Sequence, residues 1–140
     1  MAIQREMVLI HMEDIGAFAE ARMLVRLVKE AVLAAPPAVV LAQGVAVDTM
    51  TELRVIATAV AALVAEGLRA PHAADEVRRF REAGLALAEV RALAWRAYDR
   101  GALSAGMFDE IMAATSRAAA EVAAVEAAAR WRARRSIDLD

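Results

Sequence analysis

Residues 80–97, FREAGLALAEVRALAWRA, decide the fold of this 140-residue chain. Phe80, Ala83, Leu87, Val90, Ala94 and Ala97 follow one another at alternating steps of three and four residues. Such steps keep returning to one side of an α-helix, whereas a half-buried strand needs apolar residues at every second position. The stretch therefore predicts a helix with a coiled-coil-like seam. Asp75 and Glu76 suit the positive end of that helix, and Gly101 supplies a left-handed cap, so the helix is predicted over 73–100. Ser104 caps a further helix over 105–135, whose seam is Ile111, Thr115, Ala118, Val122, Val125 and Ala129.

Upstream, Asp48 or Thr49 with Glu52 a turn later marks the start of a helix over 47–67, which ends at Gly67 or at latest before Pro71. A first helix over 4–34 stops before Pro36-Pro37, whose rings cannot continue it. No segment alternates with period two. The expected fold is all-α: an antiparallel up-down four-helix bundle built by residues 1–135 as one domain, with 136–140 a frayed tail.

Hydrophobic residues make up 60% of the chain but aromatics only 4%, and 37 residues are alanine. The mean hydropathy of +0.40 thus reflects alanine rather than lipid-facing sequence. The longest uncharged run, 31–47, is 17 residues long and is broken by Pro36-Pro37 and Gln43-Gly44. A membrane span needs about 20 residues of unbroken helix. Arg5, Glu6, Glu13 and Asp14 interrupt any early apolar run, so no leader is read and a cytoplasmic protein without a membrane partner is expected.

Alanine seams allow close approach but bury little area, at about 25 cal/mol per Å2. The second helix adds to the problem, because Val55 to Ala65 carries no charge and only Thr58 among apolar residues. A helix apolar on all sides wants covering on all sides. A second subunit would supply that cover, which predicts a homo-oligomer; the connector 35–47 folding over the helix is the alternative.

Constellations for catalysis are missing. Cysteine is absent, which excludes disulfides, thiolate metal sites and thiol nucleophiles. A carboxylate-bridged metal bundle wants Glu three residues before His, yet Val8 precedes His11 and Arg69 precedes His72 at that distance. Ser104, Ser116 and Ser136 lack elbow glycines, and the glycines form no phosphate cradle. No catalytic residue, metal or cofactor is expected, and the chain is not read as an enzyme.

The charge pattern is more informative. Seventeen basic and nineteen acidic residues give −2 overall, but residues 1–68 sum to −3 and residues 69–135 to +3. Arg78, Arg79 and Arg81 crowd the start of the third helix, where Asp75–Arg79 and Arg78–Glu82 have the i,i+4 spacing of ion pairs. Arg130, Trp131, Arg132, Arg134 and Arg135 crowd the end of the fourth. Guanidiniums can grip a phosphate backbone while an indole stacks a base, and cations also suit a helix C-terminus. Glu6, Glu13 and Glu20 form a stripe on the first helix, read as a solvated face or a docking strip for a basic partner.

Two stretches carry a resemblance. Glu52-Leu53-Arg54, Ala57 and Val64-Ala65-Glu66-Gly67 resemble the QLRRAAVSIPANIAEG pattern of four-helix-bundle proteins encoded in 23S rRNA intervening sequences. Phe80, Ala83, Leu87-Ala88-Glu89, Ala97, Gly101 and Leu103-Ser104 fall in register with the pattern that follows it. The match spans residues 51–104, and Ala83-Gly84-Leu85-Ala86-Leu87 is similar to the branch that contains the accessory variability determinant of diversity-generating retroelements. The resemblance implies a pentameric barrel of bundles and, for that branch, a nucleic-acid-binding partner of a reverse transcriptase. Arg54 is the one basic position of the pattern that is retained, and Val55 stands where it has a second arginine.

Two functions follow as expectations. One is an oligomeric scaffold that binds RNA or DNA, and a reverse transcriptase, through Arg54, Arg78, Arg79, Arg81, Arg130, Trp131, Arg132 and Arg134. The other is a protein–protein scaffold with no nucleic-acid role.

Overall fold

The computed structural model describes residues 16–34 and 44–138, with side chains over 16–34 and 49–136. These residues form four helices: α1 (Gly16–Ala34), α2 (Gly44–Arg69), α3 (Ala73–Asp99) and α4 (Ala105–Asp138). No strand occurs among the described residues. Each helix packs on its neighbours in chain order, and α1 closes the ring against α4.

Side-chain partners fix the directions. Arg91 reaches Ser116 and Arg81 reaches Glu126, so residue numbers rise on α3 as they fall on α4. Glu20 with Arg117 and Gly16 beside Glu121 show the same reversal across α1 and α4, as do Glu66 with Arg79 and Thr49 with Arg100 across α2 and α3. The result is an up-down antiparallel four-helix bundle.

All six seam residues of α3 are buried, from Phe80 to Ala97, and Leu93 joins them. On α4, Ile111, Thr115, Ala118, Val122 and Ala129 are buried, while Val125 is half-buried. Thr115 is tolerated there because its hydroxyl donates to the Ile111 carbonyl at 2.7 Å. On α1 the core positions are Ala17, Ala21, Leu24, Val28 and Ala31.

The α3–α4 turn follows local chemistry. Gly101 has φ +77°, and the Gly101 and Ala102 amides donate to the Tyr98 and Ala97 carbonyls at 3.0 and 2.9 Å. This Schellman arrangement satisfies carbonyls left over at the helix end. Ser104 then accepts from the Met107 amide through its Oγ at 3.2 Å, as an N-cap should.

Other local readings give way. α2 begins at Gly44, ahead of the expected Asp48 or Thr49 cap. Thr49 is buried inside the helix, and its Oγ accepts from the Arg100 guanidinium at 2.9 Å. The same helix passes Gly67 and ends at Arg69, within the expected limit of Pro71. Gly67 is a packing position instead: a Cβ there would lie 2.4 Å from Cε1 of Phe80. At the other terminus α4 runs on to Asp138, three residues beyond Arg135. The 35–47 connector lies outside the described residues except where α2 takes up its last four positions.

Candidate functional site

The up-down order carries the two arginine-rich segments to one end of the bundle. α2 ends there at Arg69, α3 starts there at Ala73, and α4 finishes there. Residues 66–82 and 126–135 together bring eight arginines against five carboxylates to this end. Arg78, Arg79 and Arg81 stand on the first turns of α3, and Arg130, Arg132 and Arg134 on the last turns of α4. Arg54 does not join them. It is exposed on α2, fifteen residues before Arg69, which is about 22 Å of helix.

Most of these guanidiniums are engaged. Arg78 pairs with Asp75 at 2.9 Å, and Arg79 pairs with both Glu82 and Glu66 at 3.3 Å. These i,i+3 pairs replace the expected i,i+4 pairs Asp75–Arg79 and Arg78–Glu82, because Arg79 leans toward Glu66 on α2. Glu126 is shared by Arg81 at 3.4 Å and Arg130 at 3.1 Å, and Arg132 pairs with Glu76. Arg134 is exposed and has no ion pair among the described residues. Trp131 is 58% exposed, with the Arg135 guanidinium stacked 4.6 Å from its ring centroid.

Two shallow clefts lie among these groups. One, of about 450 Å3, is lined by Glu66, Arg69, Pro71, Asp75, Arg78 and Arg79 at the α2–α3 turn. The other, of about 280 Å3, is lined by Leu68, Glu76, Phe80, Val125, Ala128 and Arg132. Their walls mix cations, carboxylates and alkyl groups, which suits a charged chain lying across the surface better than an enclosed small molecule. Among the described residues no three histidine, cysteine or carboxylate side chains are grouped so as to hold a metal ion. The exposed pairs of Arg78 and Arg79 contribute about 0–1 kcal/mol each, so a phosphate can take over these guanidiniums at small cost, whereas Glu76 and Glu126 are mostly covered.

His72 sits at the N-cap position of α3, exposed and without a capping hydrogen bond from its side chain. Glu20, the one member of the acidic stripe within the described residues, pairs with Arg117 at 3.2 Å; Glu6, Glu13 and His11 lie outside them. Within the apolar stretch of α2, Ala57, Val60 and Val64 are buried, while Val55 is 60% exposed beside an apolar groove of about 200 Å3.

At the opposite end lies a feature that the sequence pattern does not announce. Phe108 is buried between two exposed rings, stacked on Tyr98 at 4.7 Å and edge-on to Trp95 at 4.6 Å. The i,i+3 spacing of Trp95 and Tyr98 signals a shared face, but Phe108 reaches them only through the α3–α4 turn.

No helix of the described residues is long and apolar enough to cross a membrane. No family model matches the chain, and neither a curated protein nor a solved structure matches it significantly.

Proposed function

We propose that the protein is a non-enzymatic, self-associating helical scaffold whose arginine-rich end contacts a nucleic-acid backbone. One observation carries this reading. Arginines distant in sequence converge at one end of the bundle, beside an exposed indole, and outnumber the carboxylates among them eight to five. Arg134, Trp131 and Arg135 present the least committed surface, while Arg78, Arg79, Arg130 and Arg132 would exchange a carboxylate for a phosphate. The sequence resemblance supports a reverse transcriptase as the protein partner and a ring of five subunits as the assembly. The uncharged stretch of α2 from Val55 to Ala65 would then lie at subunit boundaries.

Binding of single-stranded RNA and DNA oligonucleotides at several salt concentrations tests the reading. Counterion release requires log affinity to fall linearly with log salt, by about 0.7 per phosphate neutralised on a single strand. A variant carrying Arg130→Ala, Arg132→Ala and Arg134→Ala should lose at least about tenfold in affinity while keeping its mass. Binding that is absent at low salt, or indifferent to salt, overturns the nucleic-acid role.

The engagement of five arginines by carboxylates favours a second reading, a protein–protein scaffold in which this end is internally neutralised. Loss of assembly in the triple variant, with no nucleic-acid binding by the parent, supports that reading instead.

A further inference from the structure

The outer face of α3 carries a stripe that the bundle leaves unpartnered. Arg81, Leu85, Ala88, Ala92, Trp95 and Asp99 are all exposed, with Leu85 at 69% and Trp95 at 49%. Their steps of four, three, four, three and four residues place them in one row along the helix. This row is symmetric about the level of Val90. Rotated by 180° about an axis through that level, Ala88 falls on Ala92, Leu85 on Trp95 and Arg81 on Asp99.

From this register we propose that α3 is the interface through which two copies of the chain associate antiparallel, about a two-fold axis level with Val90. The inference rests on the self-association proposed above but not on the five-subunit ring: a two-fold contact closes on two chains, so the two-chain and five-chain masses are competing outcomes. Each copy sets Leu85 against Trp95 of the second copy, and the alanine pairs at the centre let the helices approach closely. At either end Arg81 meets Asp99 of the second copy. This charge complementarity selects a copy of this chain as the occupant, because a two-fold axis requires the row to match its own reversal.

The groups around the row are small or turned to other partners in part, with Arg96 exposed beside Trp95. Ala120, Ala123 and Ala127 are small and exposed on the adjacent α4. Arg91 turns away from the row to Ser116 Oγ at 3.2 Å, and Glu89 lines the groove toward α2 beside Val55. Asp99 has no ion pair among the described residues. Arg81 holds Glu126 only at 3.4 Å, and its side chain is 61% exposed.

Two opposed charge swaps test the pairing. Light scattering across a concentration series should show the parent chain passing from the mass of one chain to that of two. Arg81→Asp alone sets Asp against Asp99, and Asp99→Arg alone sets Arg against Arg81. Each variant should therefore stay monomeric to at least about tenfold higher concentration. An equal mixture of the two variants restores both attractive pairs and should return the two-chain mass; this recovery also shows that both variants are folded. In the cysteine-free chain, Ala88→Cys mixed with Ala92→Cys should form an intersubunit disulfide faster than either alone. Swaps that leave the two-chain mass unchanged, or a mixture that stays monomeric, overturn the α3 interface. A five-chain mass insensitive to both swaps overturns it while leaving self-association standing, and a monomer at every concentration overturns both.

Discussion

The two ends of the bundle are held together in different ways. At the 100–104 turn, Gly101 and Ser104 terminate one helix and start the next, and Phe108 seals the turn against Trp95 and Tyr98. At the 70–72 turn no side chain caps α3, and Arg78, Arg79, Arg81, Arg130 and Arg132 face carboxylates across mostly exposed surface. The first end combines buried apolar contact with local capping. The second has Phe80 for a core and a polar network that contributes little to stability. Charge concentrated where it is not needed for folding is free to serve binding.

Four substitutions would break or sharpen this contrast. Phe108→Ala should have the largest effect, about 3–5 kcal/mol by urea denaturation, because it removes a buried ring and leaves a cavity under two aromatics. A loss below about 1 kcal/mol would mean that the aromatic cluster does not hold that end. Gly67→Ala probes the core beneath the charged end. The added methyl meets the Phe80 ring, so overpacking should cost about 1–3 kcal/mol. Ser104→Ala should lower stability by about 1 kcal/mol through loss of the Met107 cap, read as a lower thermal midpoint.

Glu126→Gln should have the smallest effect on stability, no more than about 1 kcal/mol, since it releases only exposed arginine partners. Its effect on binding should run the other way. Freeing Arg130 should raise oligonucleotide affinity at low salt, and an unchanged affinity would mean that Arg130 does not touch the backbone.

Much of the framework is legible in the amino-acid sequence. The three-four spacing of Phe80, Ala83, Leu87, Val90, Ala94 and Ala97 reports helix and core face together, and all six are buried. Gly101 and Ser104 are equally legible, because a left-handed glycine and an N-cap hydroxyl act through atoms within a few residues. The seam alone omits Leu93, Ala114 and Phe108, which are buried too. A helix with two neighbours buries a wider stripe than the narrow a/d seam of a coiled coil. Thr49 misleads for a related reason, since the helix already begins at Gly44 and the Thr49 hydroxyl accepts from Arg100, 51 residues away.

The candidate site divides along the same line. Its residue types are visible in the sequence, as arginine clusters at 78–81 and 130–135 with Trp131 in the second. Their meeting at one end, the exclusion of Arg54, and the choice of Glu66, Glu76 and Glu126 as partners are not.

The sequence alone determined the helices of the 100–104 turn, the core face of α3 and the excess of arginine over carboxylate, because period, capping and composition act over a few residues. Only the tertiary structure decided which arginines are paired, why Gly67 must be small and which row of α3 faces outward. Those depend on segments that touch across dozens of residues, where packing against a neighbouring helix overrides local preference.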